Sequence, residues 1–584
     1  MRLLLKGVVQ GVGFRPFVYK LAQKYHLQGF VSNTGEGLII EIEGSLEGMH
    51  LFCDEIQNHP PSLARIDQIV IQEQNGKHFE KFDIIESVHC AKTTSISPDI
   101  AVCELCLSEM NGPHNRRFGY YLINCTDCGP RYSIMETLPY DRAFTSMRWF
   151  EMCPECQAEY NDPSNRRYHA QPISCPSCGP VMTLADSQMN LILKGSQAIE
   201  KTAELLKNGS IVAVKGIGGF HLMCDAGNEQ AVSRLRLRKK RPHKPLAVMF
   251  SNMDHLRSSL SADHQESALL DAKERPIVLL KKGSSNSLAR NIAPDIDTIG
   301  AMLAYAPLHH LLFSFLSFPL VATSANRSNE PIIRSAQELH ERLGTVVDYI
   351  VDFNRDIVNA VDDSIIQVIQ NRRLTLRLGR GYAPYTLFQT QSHSLNILAV
   401  GAQQKNTIGL AFEDKMILSP HIGDLHSLEG MEYFERTVDS FKRFYDFSPD
   451  VIVCDMHPGY ATAQWAKDQG VECIEVQHHY AHALACMAEH GLNEKLLAFC
   501  FDGTGYGDDG TIWGGEVFLA DPLHYERIGH IKPFRLLGGE KAIKEPKRVA
   551  LSLLFESYSL AEVMDLTLPL LEHFDSQEIT LYHK

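Results

Sequence analysis

Eight of the fifteen cysteines in this 584-residue sequence form four C-x-x-C pairs between residues 103 and 178. In each half of the array 18 residues separate the two pairs, and the second half repeats the first fifty residues later. Since four thiolates complete the tetrahedral coordination of Zn²⁺, the spacing predicts two closed structural zinc sites. Pairing within each half and cross-braced pairing between halves are both compatible with the spacing. The predicted ligands are Cys103, Cys106, Cys125, Cys128, Cys153, Cys156, Cys175 and Cys178.

The two halves of this array share more than cysteine. The tripeptide "NRR" begins at Asn115 and again at Asn165, and "CGP" begins at Cys128 and at Cys178. The region is therefore a duplicated module. Modules of this kind bind nucleic acid or stabilise segments with little apolar content, and the net charge of −14 favours the second role.

A second candidate site lies in the segment "VVQGVGFRPFVYKLA", residues 8–22. Glycines such as Gly11 and Gly13, placed between a strand and a helix, let successive backbone N–H groups point at one anion, and the helix N-terminus adds a favourable dipole. Arg15 supplies a planar guanidinium that matches phosphate oxygens. The segment predicts a phosphate-binding loop; a tight turn with a surface arginine is the alternative.

Two further clusters could bind a ligand. In "RLRLRKKRPHK", residues 234–244, the cations Lys239, Arg241 and Lys244 stand at the end of a predicted helix, where they bind an anion or simply face solvent. In "VQHHYAHALACMAEHG", His478 and His482 are four residues apart, so that both imidazoles lie on one helix face and suit a metal ion that has further ligands. A structural histidine pair is the alternative there.

The elements that must position these residues change along the chain. Residues 1–90 read as β-α-β-β-α-β, the order of a ferredoxin-like sandwich. The cysteine module occupies 91–190, strands and helices alternate over 191–385, and 386–584 opens with strand, glycine turn and strand in "NILAVGAQQKNTIGLAF". The predicted fold class is a multidomain α/β and α+β protein.

The first domain resembles the acylphosphatase family, whose signature matches the glycine loop and the strand containing "VSNTGEG". The resemblance implies that Arg15 binds the phosphoryl group together with Gly11 and Gly13, and that Asn33 orients the attacking water. Hydrolysis of an acyl phosphate then needs little beyond positioning and charge stabilisation.

Residues 191–385 resemble the YrdC family through "HLMCDA", "KKRPHKPL", "TSAN" and "LRLGRG" in that order. The resemblance implies an ATP site that forms a carbamoyl-adenylate-type intermediate, with Mg²⁺ accompanying ATP. Lys239, Arg241 and Lys244 are then expected to contact the phosphates or the carbamoyl-bearing group. The residues expected to line or close the ATP site are Ser324, Asn326, Arg377 and Arg380.

The last region resembles TsaD-like carbamoyltransferases, which belong to the actin-like ATPase superfamily. The likeness rests on the histidine pair and on "FDGTGYGDDGTIWGGE", in which Asp502, Gly503 and Gly505 are expected to contact nucleotide. It implies a divalent metal at His478 and His482. Those transferases have two lobes, and the length after Leu395 predicts only the first, so the chain is expected to be a fragment or to have an incomplete last site.

These four regions, in this order, resemble the carbamoyltransferases of [NiFe]-hydrogenase maturation. That family hydrolyses carbamoyl phosphate to carbamate, joins carbamate to AMP from ATP, and carbamoylates the C-terminal cysteine of its partner HypE for cyanide ligand synthesis. Two alternatives are a tRNA-modifying enzyme of the threonylcarbamoyl type and a non-catalytic zinc-ribbon protein that binds RNA or regulates. The glycine loop and the negative charge weigh against the first of these two alternatives.

Composition sets the remaining expectations. The chain is 44% hydrophobic and 22% charged, as in soluble globular proteins, and no apolar run approaches the ~20 residues that span a bilayer. The start "MRLLLKG" is too short for a signal peptide. We therefore expect a cytoplasmic protein with neither a membrane nor a nucleic acid as partner.

Overall fold

The computed structural model describes residues 1–34, 37–61, 63–85, 94–283 and 287–584, so the predicted boundary between residues 90 and 91 lies outside the described residues. The chain forms two compact units, Met1–Ile452 and Val453–Lys584. No helix among the described residues is long and apolar enough to cross a membrane.

The first domain of the larger unit has the predicted β-α-β-β-α-β order, with a short fifth strand as its last β element. Its elements are β1 (Arg2–Val8), α1 (Phe14–Lys24), β2 (Gln28–Thr34), β3 (Gly37–Glu43), α2 (Leu46–Asn58), β4 (Arg65–Gln72) and β5 (Phe82–Ile84). The sheet order is β4-β1-β3-β2-β5, and only β5 pairs with its neighbour in parallel. The apolar face of α1 packs Val18, Leu21 and Ala22 against this sheet.

The duplicated module has little regular structure. Each half begins with one short helix, α3 (Glu104–Asn111) and α4 (Pro154–Asn161), and each helix starts directly after the first cysteine of its half. Three single-turn 3₁₀ helices lie between them, at Tyr132–Ile134, Arg142–Phe144 and Ser146–Trp149.

The third domain is built on an eleven-stranded mixed sheet. Its strands are β6 (Met182–Asp186), β7 (Leu191–Lys194), β8 (Val212–Lys215), β9 (Phe220–Asp225), β10 (Val248–Phe250), β11 (Ile277–Lys281), β12 (Thr298–Leu303), β13 (Leu320–Ser324), β14 (Tyr349–Phe353), β15 (Ile365–Ile369) and β16 (Arg372–Arg377). Their order is β16-β15-β11-β12-β10-β13-β9-β8-β14-β6-β7. The sheet includes β6, which precedes the predicted boundary at residue 191.

Helices cover both faces of this sheet. They are α5 (Gln197–Lys207), α6 (Glu229–Lys239), α7 (Met253–Arg257), α8 (His264–Asp271), α9 (Pro307–Phe313) and α10 (Ala336–Leu343), with a 3₁₀ turn at Arg290–Ile292. On β8, Val212 and Val214 belong to one apolar core and Ala213 belongs to the other. Burial on both faces explains why the strands are apolar throughout instead of alternating.

The larger unit continues with the hairpin β17 (Tyr385–Ala399) and β18 (Gly409–Leu418), followed by α11 (Leu428–Tyr445). The boundary between the two units falls within β19 (Val451–Asp455). The smaller unit has two small apolar cores and a three-stranded sheet formed, in order, by residues Leu496–Cys500, Glu516–Ala520 and Tyr525–His530. Its elements after β19 are α12 (Ala461–Asp468), β20 (Glu472–Val476), α13 (His478–His490), β21 (Leu496–Cys500), β22 (Gly505–Tyr506), β23 (Ile512–Trp513), β24 (Glu516–Ala520), β25 (Tyr525–His530), α14 (Glu540–Lys544), α15 (Pro546–Phe555), α16 (Leu560–Asp565), a 3₁₀ helix (Pro569–His573) and α17 (Ser576–His583).

Candidate functional sites

The glycine loop forms one side of a small cavity at the start of α1. Gly11 and Gly13 have φ of +69° and +73°, a left-handed backbone that side chains disfavour. Gly13 precedes the helix without a side chain to cap it, so the N–H groups of the first turn are available to an anion. Arg15 and Asn33 line the same cavity, which has space of about 30 Å³. The structure therefore brings the four residues predicted for this site together.

The two polar side chains in this cavity are nearly enclosed. Arg15 is 9% exposed, and a carboxylate oxygen of Asp141 lies 3.9 Å from its Nη2. Asn33 is 2% exposed, and its Oδ1 has no hydrogen-bond partner among the described residues. A buried acceptor without a partner is costly, so this amide is positioned for a ligand or a water molecule.

The other side of the cavity comes from the cysteine module, a contact between domains that no motif in the sequence indicates. Arg131 donates from Nε to the Gly11 carbonyl at 2.8 Å, and its two Nη atoms donate to the carbonyls of Gly129 and Thr126. The ring of Tyr140 packs so closely on Gly11 that a Cβ there would lie 3.0 Å from Cδ1. The module thus holds the glycine loop in its shape.

Each half of the module gathers its own four thiols. In the first half, Sγ–Sγ distances are 3.7 Å for Cys103–Cys125, 3.8 Å for Cys125–Cys128 and 3.6 Å for Cys106–Cys128. The corresponding distances in the second half are 3.7, 3.7 and 3.6 Å, for Cys153–Cys175, Cys175–Cys178 and Cys156–Cys178. Thiolates about 2.3 Å from a tetrahedral Zn²⁺ are separated by about 3.8 Å, so both clusters fit structural zinc. Each site uses one half of the array, not a cross-braced set.

The "NRR" tripeptides connect the halves reciprocally. Nη2 of Arg166, from the second half, lies 3.2 Å from each of three sulfurs of the first cluster, those of Cys103, Cys106 and Cys125. Conversely, Nη2 of Arg116, from the first half, lies 3.3 and 3.4 Å from two sulfurs of the second cluster.

The neighbouring arginines repeat this exchange. Arg117 pairs with Glu159 and donates to the Ser174 carbonyl, while Arg167 pairs with Glu109 and donates to the Asn124 carbonyl. The arginines of each half therefore offset the negative charge of the other half's cluster.

A larger cavity, of about 400 Å³, is lined mainly by the third domain and also by residues 405 and 421–424, which follow that domain. Its volume is in the range of small-molecule sites. Of the residues predicted to bind nucleotide in this domain, six line it: Lys239, Arg241, Lys244, Ser324, Asn326 and Arg377.

Cations in this cavity are held in place by neutral oxygens. Lys239 donates from Nζ to the Ser324 carbonyl at 2.5 Å and to Asn326 Oδ1 at 3.0 Å. Burial, together with the nearby charge of Arg241, lowers the pKa of Lys239 to about 7. Burial likewise lowers the pKa of Arg241 to about 10. Positive groups crowded in this way gain most from a polyanionic ligand.

Arg236 organises the basic loop although it does not line the cavity. Its Nη1 donates to the carbonyls of Arg241, Pro242 and Lys244 at 2.8 to 3.1 Å, and its Nη2 donates to the Ile292 carbonyl. The sequence contained this arginine in the basic cluster but gave no sign of its role, because the role depends on how the loop folds back.

The structure places Arg380 away from the cavity that it was predicted to close. Its guanidinium is 1% exposed, pairs with Asp363 through an Nε–Oδ1 contact of 2.6 Å, and lies 3.5 Å above the ring of Tyr305. Asp363 does line the cavity and also contacts His221, with 2.9 Å between Oδ2 and Nε2. Arg380 therefore pairs with a carboxylate that lines the cavity without lining the cavity itself.

In the smaller unit the histidine pair meets a carboxylate. The Nε2 atoms of His478 and His482 are 3.3 Å apart, and Asp502 Oδ2 lies 3.0 and 3.7 Å from them. Asp455 Oδ2 lies 2.7 Å from His478 Nδ1, and this contact orients the other ring nitrogen, Nε2, towards His482 and Asp502. Two imidazoles and one carboxylate within these distances suit a divalent metal with an open position. Asp502, predicted from the sequence as a nucleotide contact, thus lies in the group of side chains that could hold a metal ion.

The glycines that follow Asp502 have different surroundings. A Cβ on Gly505 would lie 2.5 Å from the ring of His479 and 2.9 Å from that of His478, so close packing on α13 accounts for this glycine. Gly503 has open space around its Cα. The fully buried His479, which contacts Asp502 Oδ1 at 2.6 Å through Nε2, was missed in the sequence because it stands between the two spaced histidines.

An anion loop and a cation-lined cavity on one chain are typical of a group-transfer enzyme that works on phosphorylated substrates. Models of known families match the chain in succession. They are acylphosphatase (1–84), the HypF finger (102–135 and 152–185), the Sua5, YciO and YrdC family described as telomere recombination (204–379), the HypF Kae1-like domain (392–489), and the second subdomain of the carbamoyltransferase Kae1-like domain (498–583).

Relatives agree with these models. The carbamoyltransferase HypF of Synechocystis sp. is 46% identical over 95% of this chain and 72% of its own length. That of Rhizobium leguminosarum bv. viciae is 42% identical with the same coverage. A crystal structure of full-length HypF in a phosphate- and nucleotide-bound form has 43% identity and a TM-score of 0.94 over all of this chain and 76% of that one. The crystal structure of T. kodakarensis HypF has 38% identity and a TM-score of 0.91 over all of this chain and 77% of that one.

The chain belongs to the HypF carbamoyltransferase family. It is an enzyme with an acylphosphatase domain, a zinc-finger module, a YrdC-like domain and a Kae1-like domain. The last match extends into the second Kae1-like subdomain, so the prediction of only the first lobe from the length after Leu395 is wrong. Membership favours the first of the three interpretations drawn from the sequence over both alternatives.

We predict that Arg166→Ala destabilises zinc in the first half of the module, although Arg166 belongs to the second. Thiolate charges, with Cys125 and Cys106 foremost, outweigh burial and raise the pKa of Arg166, so removing the guanidinium leaves the cluster's charge uncompensated. Zinc release to a chromogenic chelator should accelerate about tenfold or more. Arg148→Ala, in the same module but paired with Glu136, is the control, and equal release rates would contradict the reciprocal arrangement.

A second prediction concerns the smaller unit. Metal analysis of His482→Ala should find one equivalent less of a divalent metal than in the wild type, with the two zinc equivalents retained. His482 is 57% exposed on its side chain, so the substitution removes a ligand without opening a core. His490→Ala, at the far end of the same helix, should keep the full metal content. A metal content unchanged by His482→Ala would show that this cluster binds none.

Proposed function

We propose that this enzyme carries a carbamoyl group through three reactions, one for each of its non-zinc sites. Carbamoyl phosphate is hydrolysed to carbamate beside Arg15, carbamate is joined to AMP in the larger cavity, and the carbamoyl group is then transferred to a thiol. The observation that carries the proposal is the presence, in the larger unit, of a small anion pocket and a cation-lined cavity of nucleotide size.

In the first reaction water attacks phosphorus, and the bond from phosphorus to the bridging oxygen breaks. Carbamate leaves with the bonding electrons, and the proton from water passes to phosphate or solvent. The loop N–H groups and Arg15 are placed to hold the phosphoryl oxygens as their charge grows. Asn33, whose Oδ1 is unpaired among the described residues, is placed to accept a hydrogen bond from the water.

In the second reaction a carbamate oxygen attacks the α-phosphorus of ATP and pyrophosphate leaves. Lys239, Arg241, Lys244 and Arg377 surround the cavity and would stabilise the charge on the phosphates. Mg²⁺ would arrive with ATP and neutralise part of the pyrophosphate charge, and the carboxylates of Asp362 and Asp424 line the same cavity as oxygen ligands for it.

The third reaction uses the smaller unit. A divalent metal held by His478, His482 and Asp502 would supply a positive centre for the phosphate of the adenylate or for the carbamoyl oxygen. The thiol sulfur attacks the carbamoyl carbon, the carbon–oxygen bond to AMP breaks, and AMP leaves while the thiol proton goes to solvent. We assign the acceptor as the C-terminal cysteine of HypE, the partner of this family. The chain spans about three quarters of the length of its relatives.

Arg15→Ala tests the order of the first two reactions. The variant should release pyrophosphate from ATP at less than about one hundredth of the wild-type rate when carbamoyl phosphate is supplied, because the guanidinium that binds the phosphoryl group is lost. Added carbamate should restore pyrophosphate release, since the second site is untouched. Lys81→Ala, an exposed lysine of the same domain, is the control. Failure of carbamate to restore the reaction would contradict the relay.

The charge state of Lys239 gives a pH prediction. Because its pKa is lowered to about 7, its ammonium is present below pH 7 and is lost as pH rises through 7. The affinity for ATP should therefore fall by about tenfold between pH 6 and pH 8, corresponding to about 1.4 kcal/mol. Calorimetry on Lys239→Arg, whose side chain stays charged, should show a flatter profile. Identical pH profiles for wild type and variant would contradict this assignment.

A further inference from the structure

The two halves of the zinc module differ most where the second half reaches the anion pocket. Residues 168–172, "YHAQP", line that pocket, whereas the equivalent residues 118–122, "FGYYL", do not. Tyr168 is 6% exposed, but its counterpart Phe118 is 56% exposed. The duplicated module therefore has one specialised segment, and that segment faces the site of the first reaction.

His169 shows the specialisation most clearly. Its φ is +52°, in the left-handed region, and its counterpart in the first half is Gly119 with φ +65°. A side chain with a Cβ is unfavourable there, and strained residues of this kind concentrate at functional sites. The imidazole is held in place by rings: its centroid is 4.8 Å from that of Tyr160, nearly parallel, and 4.3 Å from that of Tyr168. Burial, and then the charge of Arg15, lowers the pKa of His169 to about 4, so the ring is neutral at physiological pH.

Hydrogen bonds fix the backbone of the same segment. Gln171 Oε1 accepts from the Arg142 backbone N–H at 2.7 Å and from the Tyr160 hydroxyl at 2.9 Å, and Gln171 Nε2 donates to the His169 carbonyl at 2.9 Å. Arg142 in turn donates to the Gln171 carbonyl at 2.6 Å. The segment is therefore a rigid wall and not a loop that yields to a ligand.

The arrangement of the pocket indicates where the phosphoryl end and the acyl end of the substrate would lie. If the glycine loop and Arg15 hold the phosphoryl group, the acyl group must extend towards the opposite wall, which is residues 168–172. The cavity as a whole has space of about 30 Å³, and the rings of Tyr168 and His169 occupy this side of it. They leave more room for a small planar acyl group than for an aromatic ring.

We propose that residues 168–172 of the zinc module, and His169 in particular, set the upper size of the acyl group that the acylphosphatase site accepts. This inference rests on the proposed hydrolysis of carbamoyl phosphate. The module then has a role in substrate choice besides its structural one. His169 is a specificity-determining residue in this account and takes no part in proton transfer.

The test compares kcat/KM for carbamoyl phosphate, acetyl phosphate and benzoyl phosphate in the full chain. The wild type should cleave the first two at similar kcat/KM and benzoyl phosphate at least about thirtyfold less well. His169→Gly restores the residue of the first half and removes the backbone strain, so it should fold. It should raise the ratio of benzoyl to carbamoyl phosphate cleavage by about tenfold or more. Phe118→Ala, the matched change in the first half, should leave the ratio unchanged.

Two results would overturn the proposal: a wild type that cleaves benzoyl and carbamoyl phosphate equally well, or a ratio that His169→Gly does not move. Either would leave the hydrolysis itself intact. If no acyl phosphate is cleaved, it is the proposed function that fails. The size limit can still be tested by measuring ligand binding with calorimetry. Phenyl phosphate should then bind His169→Gly but not the wild type, while inorganic phosphate binds both; equal binding of phenyl phosphate by the two proteins would refute the size limit.

Discussion

Two clusters of four thiolates place a concentrated negative charge in a part of the chain that has few helices and strands. A zinc ion with four thiolates keeps a net charge of −2, and nearby positive groups must offset it. Here the compensation comes across the duplication, because Arg166 contacts the sulfurs of the first half and Arg116 those of the second. Neither half is electrostatically complete alone, so the two halves form one body.

The catalytic geometry depends on that body being rigid. Arg131 reaches from the module to the Gly11 carbonyl, and Ser97 donates to the Gln10 carbonyl at 2.7 Å, so the phosphate loop is braced from outside its own domain. The backbone of Arg131 is fixed in turn by the buried carboxylate of Asp99, which also accepts from Ser133. The module therefore completes a site whose recognisable motif lies wholly in another domain.

Buried charge is arranged similarly behind the larger cavity. Burial alone would raise the pKa of Asp363, but Arg380 and His221 outweigh it and lower that pKa. A carboxylate that is kept ionised in this way presents a fixed negative charge to the cavity. Removing one partner of such a buried pair typically costs about 3–5 kcal/mol. Arg380 thus stabilises the site through its pair with Asp363 and does not line the cavity.

Much of the architecture could be predicted from the sequence, because the motifs that indicate it are local. The C-x-x-C spacing, the glycine loop and the order of strands and helices each lie within one segment. Arg131, His169 and Arg236 could not be predicted, because each acts on a segment distant in the chain or through a folded loop. The repeated "NRR" was visible, but the exchange of arginines between halves depends on how the two copies pack. The glycine-rich context of Asp502 suggests a nucleotide contact, whereas its proximity to His478 could not be predicted because it exists only in the fold.

The central claim is that the zinc-bound module and the glycine loop form one hydrolytic site. Its most direct test is to withdraw zinc gradually with a chelator and to follow carbamoyl phosphate hydrolysis and zinc release in the same sample. The account predicts that hydrolysis falls in step with zinc release and returns when zinc is restored. Undiminished hydrolysis after both zinc ions have left would contradict it.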